Sequence, residues 1–185
     1  EMHTQEIIEL MPDLLELEKS SLVLFSSRKQ MADVYQALPA DLSGSILFQD
    51  NLSKPEILRT HCERVDDGKN SSIFGLNSFS EGIDLPSDYC RHIIIAKLPF
   101  SVPNDPLSAA LSEWVEARGG NSFMEVNVPE ASVRLIQACG RLLRTEQDSG
   151  RITLLDTRLV TRRYGRAILD ALPPFKLEGV LSPSV

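Results

Sequence analysis

Two kinds of hydrophobic pattern alternate along the chain. Between Thr4 and Lys19, Ile7, Ile8, Leu10, Met11, Leu14, Leu15 and Leu17 recur at helical spacings, which predicts an amphipathic helix. Pro12 is expected to kink it or reset its start. Ser21–Phe25 follows as a short apolar run of the kind a parallel strand buried on both faces requires. A helix is expected over Gln30–Leu38, stopped near Pro39, and a second strand over Ser45–Gln49. Ser53 is placed to cap a helix over Lys54–Val65, with Pro55 in the first turn and Glu56 at the capping-box position. Asp66–Asn70 is a turn cluster. Ser72–Gly75 and His92–Leu98 read as the third and fourth strands, followed by a Pro-rich loop from Pro99 to Pro106. Helices are then expected over Leu107–Ala117 and Glu130–Leu143, with Pro129 near the start of the second. A fifth strand covers Arg151–Asp156, and a last helix, Thr161–Leu172, ends at Pro173 and Pro174.

Strands that alternate with helices predict an α/β fold: a parallel sheet with helices on both faces. In such sheets ligands sit beyond the carboxyl ends of the strands. The length of 185 residues suits one such domain, expected over residues 1–175, with 176–185 as a C-terminal tail.

Composition narrows the function classes. At 42% hydrophobic residues the chain can build a core. No apolar run approaches the ~18 residues of a membrane span, and no signal-peptide pattern opens the chain. The net charge of −7 argues against coating nucleic acid by bulk positive charge, so any such contact must be local. Cys62, Cys90 and Cys139 are far apart and form no CxxC pair, which fits a reducing cytosol and not a disulfide framework. Cys90 and His92 read as a buried thiol beside a strand histidine and not as half of a metal site. No metal ligands are assigned.

The candidate chemistry sits in three places. On the helix over Glu130–Leu143 and the residue after it, Arg134, Gln137, Arg141 and Arg144 fall within a stripe of about 80° at about 100° per residue, while Leu135, Ile136, Ala138, Cys139, Leu142 and Leu143 cover most of the rest. A helix apolar over most of its surface is expected to be buried. Guanidinium groups stay charged, so clustered arginines need anions; neighbouring carboxylates or water can serve, and so can a bound phosphate, onto which arginine donors fork. Gly140 beside Arg141 leaves room for a backbone or a ligand to approach. The second place is the loop Gly75–Pro86, which follows a buried strand and carries Glu81, Gly82 and Asp84. It is either an active-site loop or a surface turn with two solvated acids. The third is Ser26–Lys29, where small hydroxyls precede a helix N-terminus, as in an ordinary cap or a phosphate contact. The chain has no GxxxxGK[ST] loop and no acidic box after a strand, both of which P-loop hydrolysis needs. By itself it is expected not to hydrolyse ATP.

Together these motifs resemble those of the C-terminal RecA-like motor domain of superfamily 2 DNA helicases, in the DinG/XPD branch and most like its bacterial DinG members. Gln137, Gly140, Arg141 and Arg144, followed by Asp148 and Gly150, resemble motif VI; Ser78–Asp84 resembles motif V; Leu22–Ser27 resembles motif IV; Tyr164–Pro173 resembles the end of the domain. The resemblance implies a role for each. Arg141 and Arg144 would act as arginine fingers at the γ-phosphate, and Gln137 would contact the phosphate or the attacking water. Glu81, Gly82 and Asp84, with Gly140, would bind nucleotide or couple its cleft to DNA. Ser26, Arg28, Asn77 and Ser78 would touch the backbone of single-stranded DNA. It further implies ATP and Mg²⁺ shared with an N-terminal RecA-like domain of the same polypeptide, a 4Fe-4S cluster in that other half, 5′-3′ translocation, DNA repair, a monomer, and a bacterial cytoplasmic, nucleoid-associated location. The competing readings are a non-catalytic RecA-like module that binds nucleic acid or protein and, against the motif VI spacing, half of a nucleotide-sugar transferase.

Overall fold

A computed structural model describes residues 2–100, 106–140, 149–176 and 178, with Ser87 described by its backbone alone. The described chain packs as two compact units: residues 1–97 with 139–155, and 98–138 with 156–185.

The first unit contains a five-stranded sheet in the order β2-β3-β1-β4-β5, all parallel. Its strands are β1 (Ser20–Phe25), β2 (Ile46–Phe48), β3 (Ser71–Leu76), β4 (His92–Ile95) and β5 (Arg151–Leu154). Its helices are α1 (Met2–Glu16), α2 (Arg28–Ala37), the short α3 (Ala40–Ser43) and α4 (Lys54–Asp66). This is the parallel α/β fold expected from the alternation.

Alternate strand residues serve opposite faces. Val23, Phe25, Phe74 and Ile94 pack with Ile7, Met11 and Leu15 of α1 and with Met31 and Val34 of α2. The intervening Leu22, Leu24, Ile73, Ile93 and Ile95 are equally buried. Helix α4 covers that second face of β3, where His61 meets the Ser71 hydroxyl at 2.8 Å from Nδ1 and the Tyr89 carbonyl at 2.7 Å from Nε2. Ser71, Ile73 and Gly75 share this face. α1 continues through Pro12; the proline removes one backbone donor, and burial of Ile7, Met11 and Leu15 holds the helix together. At α4 the Glu56 carboxylate accepts from the Ser53 N–H (3.0 Å) and hydroxyl, which holds its pKa below the usual value.

The second unit holds α5 (Pro106–Ala117), a π-helical turn (Phe123–Asn127), α6 (Val128–Cys139, whose last residue belongs to the first unit), α7 (Arg158–Thr161) and α8 (Arg163–Ala171). The last helix expected over Thr161–Leu172 is α8, which starts two residues later, after Arg162 with extended φ −113° and ψ 144° separates it from the short α7 that was not expected. The break lets Gly165 lie against α7: a Cβ there would stand 2.1 Å from the Leu159 carbonyl oxygen. The fourth strand ends three residues earlier than expected. Beyond it, the Leu98 N–H finds the Asp156 carboxylate (2.9 Å) instead of a neighbouring strand. Asp156 also pairs with Arg158 at 2.5 Å. Burial raises its pKa, and the hydrogen bonds from Arg158 and Leu98 bring it to a net value below the ordinary one. Among the described residues, no helix is long and apolar enough to cross a membrane.

Candidate functional site

The carboxyl edge of the sheet gathers the polar candidates. Phe25 and Leu76 are register partners at the ends of β1 and β3. Ser26 and Asn77 therefore leave adjacent strands at the same level. Ser26 and Ser78 are exposed and Asn77 is half-buried. Ser27 caps α2, its hydroxyl accepting from the Gln30 N–H at 3.4 Å. Exposed Arg28 starts α2 and is ion-paired to Asp50 at 2.6 Å. Ser26, Arg28, Asn77 and Ser78 thus emerge from neighbouring strand ends.

A cleft opens at this edge between α1 and α2. Thr4, Ser26, Ser27, Lys29, Gln30 and Lys97 are among its lining residues. The connections leave β1 toward β2 and β3 and leave β4 toward β5, so the cleft lies at the topological switch point of the sheet, where such folds take ligands. Here α2 presents its amino-terminal N–H groups, and Lys29 and exposed Lys97 add positive charge. Sequence reasoning missed Lys97. Its signal was its position two residues past β4, but the strand was expected to extend through it.

The loop after β3 is built by close packing. Gly75 has no room for a side chain: a Cβ would stand 2.8 Å from the Phe79 ring. Phe79 tucks into that space within the 3₁₀ turn Asn77–Ser80, and Lys54 of α4 lies 5.0 Å from the Phe79 ring centroid. The Lys54 ammonium also donates to the Glu81 carbonyl. Gly82 then takes φ +67°, the left-handed region that favours glycine. Ile83 and Leu85 are buried, and this anchors the loop while Glu81, Gly82 and Asp84 stay exposed.

Of the remaining candidates, helix α6 carries Gln137. The helix's apolar side is buried and its polar stripe is exposed. Ala131, Ser132, Leu135, Ala138 and Cys139 are buried, but Val133 is 53% exposed. Val133, Arg134 and Gln137 form one exposed face beside half-buried Glu130, followed by exposed Gly140. Glu130 lies 4.0 Å from Arg134, so the helix's own carboxylate partly compensates its stripe. Arg141, Arg144 and Asp148 lie outside the described residues, as does the tail apart from Lys176 and Glu178.

The cysteines do not suit a four-thiolate cluster. There are three, and burial pushes the Cys90 and Cys139 thiols up to about 12. Among the described residues no three His, Cys, Asp or Glu side chains group as a metal site.

Comparison with known proteins adds three findings. A family model described as the helicase C-terminal domain matches residues 12–175. An ATP-dependent DNA helicase DinG of Photobacterium profundum is 48% identical over 176 residues, covering 94% of this chain and 25% of that protein. A protein of Bacillus subtilis named 3′-5′ exonuclease DinG is 38% identical over 175 residues, covering 92% of this chain and 18% of that protein. The chain thus spans a quarter or less of the length of these relatives. Among solved structures, an XPD helicase shares the fold with a TM-score of 0.68 at 20% identity, over 94% of this chain and 32% of that one.

Proposed function

The chain belongs to the helicase C-terminal domain family, and from that premise we propose that it is the second RecA-like motor domain, residues 1–175, of an ATP-dependent 5′-3′ DNA helicase. It binds the backbone of single-stranded DNA along the carboxyl edge of its sheet. It also contributes arginine side chains to an ATP site whose phosphate cradle and Mg²⁺ ligands come from an N-terminal RecA-like domain of the same polypeptide. The observation that carries the reading is the shared exit of Ser26 and Asn77 from β1 and β3, beside a cleft bearing Lys29 and Lys97. Hydroxyl, amide and ammonium donors in a row are what a sugar-phosphate backbone requires, and they read no base sequence.

Division of labour follows from what the chain carries. It has no phosphate-cradling glycine loop. It does have the Gln137–Arg144 spacing, with Gln137 and Gly140 both exposed. Arg141 and Arg144 stabilise charge on the transferring phosphoryl group, a contribution that is large in phosphoryl transfer. Gln137 orients the phosphate or the attacking water. The loop carrying Glu81, Gly82 and Asp84 begins where Asn77 and Ser78 touch DNA, so backbone engagement and nucleotide state act on one short segment. In this reading a 4Fe-4S cluster belongs to the other half, since this chain carries three cysteines and not four. The protein works as a monomer in the bacterial cytoplasm, at the nucleoid, in DNA repair.

The relative named an exonuclease favours a second reading. In it, the same domain serves a larger enzyme as a non-catalytic nucleic-acid-binding module. ATP hydrolysis by the full-length protein, measured with and without oligo(dT), separates the two. The helicase reading expects strong stimulation by the oligonucleotide; DNA binding without hydrolysis would replace it with the module.

A further inference from the structure

The Arg28–Asp50 ion pair spans a strand. β3 lies between β1 and β2 in the sheet, and Arg28 follows β1 while Asp50 follows β2. Their 2.6 Å contact therefore reaches across the carboxyl end of β3, where Asn77 and Ser78 emerge. Asp50 is held there by its neighbours. The Gln49 N–H donates to the Phe74 carbonyl (3.0 Å), the Gln49 side-chain oxygen accepts from the Leu76 N–H (2.7 Å), and the Asn51 N–H closes a turn on the Phe48 carbonyl (3.0 Å). Gln49 thus fastens the end of β2 to the end of β3 and fixes the residue that follows it.

We infer that Asp50 is a built-in competitor for the DNA phosphate: its carboxylate occupies Arg28 until a backbone phosphate displaces it. The inference rests on the single-stranded DNA reading above and concerns the regulation of that same site. Both side chains are substantially exposed, 65% for Arg28 and 39% for Asp50. A pair this wet is weak and exchangeable, unlike a buried one. A phosphate offers Arg28 the same forked acceptor geometry as a carboxylate, so exchanging one for the other costs little. A motor that must release and re-engage the backbone at each step is served by a resident anion that lowers affinity and refills the arginine on release. In a chain of net charge −7, this carboxylate stands on the edge where phosphate is to lie.

Binding of fluorescent oligo(dT) to the nucleotide-free full-length protein tests this at low salt. Asp50→Asn is expected to tighten binding about two- to five-fold, the worth of an exposed ion pair, and Asp50→Glu to leave it unchanged. In an Arg28→Ala background the Asp50→Asn gain is expected to vanish, because the carboxylate acts through Arg28. No tightening by Asp50→Asn in a protein with an unchanged melting temperature overturns the inference alone. A gain that persists without Arg28 also overturns it, since Asp50 then repels phosphate directly. Failure of the unmodified protein to bind oligo(dT) overturns the DNA reading and the inference with it.

Discussion

Ser26 and Asn77 stand at the same level at the ends of two adjacent parallel strands, one residue beyond the paired Phe25 and Leu76. If these side chains contact a nucleic-acid backbone as proposed, the strand register sets the spacing of that contact. Ser26→Ala and Asn77→Ala are each expected to weaken oligo(dT) binding by the full-length protein about three- to ten-fold, the worth of one hydrogen bond. The loss should be equal for oligonucleotides of different sequence. Lys97→Ala should instead reduce the slope of log K against log salt by about one. A loss confined to one base composition would contradict the assignment, and so would an unchanged salt slope for Lys97→Ala.

Gly75 and Gly82 are required for different reasons. At Gly75 a methyl group would meet the Phe79 ring at 2.8 Å, whereas at Gly82 the space is open and only φ +67° opposes a side chain. Gly75→Ala should cost about 1–3 kcal/mol through overpacking, and part of that should return in Gly75→Ala with Phe79→Leu. Gly82→Ala should cost about 1–2 kcal/mol through backbone strain, with no recovery on trimming Phe79. Urea unfolding of these variants, of Phe79→Leu alone and of the unmodified protein checks this; purely additive costs for Gly75 and Phe79 would contradict the packing account.

His92 should make the first unit acid-sensitive. Burial lowers its pKa to about 4, and the nearby Arg151 charge adds to the effect. Its Nε2 meets the Thr153 hydroxyl at 2.8 Å. The unfolded chain binds the proton near 6.5 and the folded one does not. The contribution is therefore fully present above pH 6.5 and is lost as pH falls toward 4, by about 3 kcal/mol in all. Replacing His92 with Gln should flatten stability between pH 7 and pH 5. An undiminished slope in that variant would show that another group carries the titration.

The motifs that nominate the candidate site are local. The run Leu22–Ser27, the loop carrying Glu81 and Asp84, and the spacing of Gln137 and Gly140 need only short stretches of sequence. The strand-and-helix alternation predicts the parallel sheet for the same reason. What could not be read depends on neighbours distant in the chain. Asp50 meets Arg28 across the end of β3, a contact set by the strand order, which no hydrophobic pattern encodes. The short α7 and the extended Arg162 after it let Gly165 lie against the Leu159 carbonyl, a close approach that local apolar spacing does not encode. On α6 the expected apolar face is buried at Leu135, Ala138 and Cys139, while Val133, beside Arg134, is 53% exposed.

The most direct test of the central claim is the ATP turnover of full-length protein carrying Arg144→Ala, measured with saturating oligo(dT) alongside ATP binding. If Arg144 enters an ATP site completed by another domain, ATP should still bind while DNA-stimulated hydrolysis falls by about a thousandfold or more. Turnover at the unmodified rate would contradict the account.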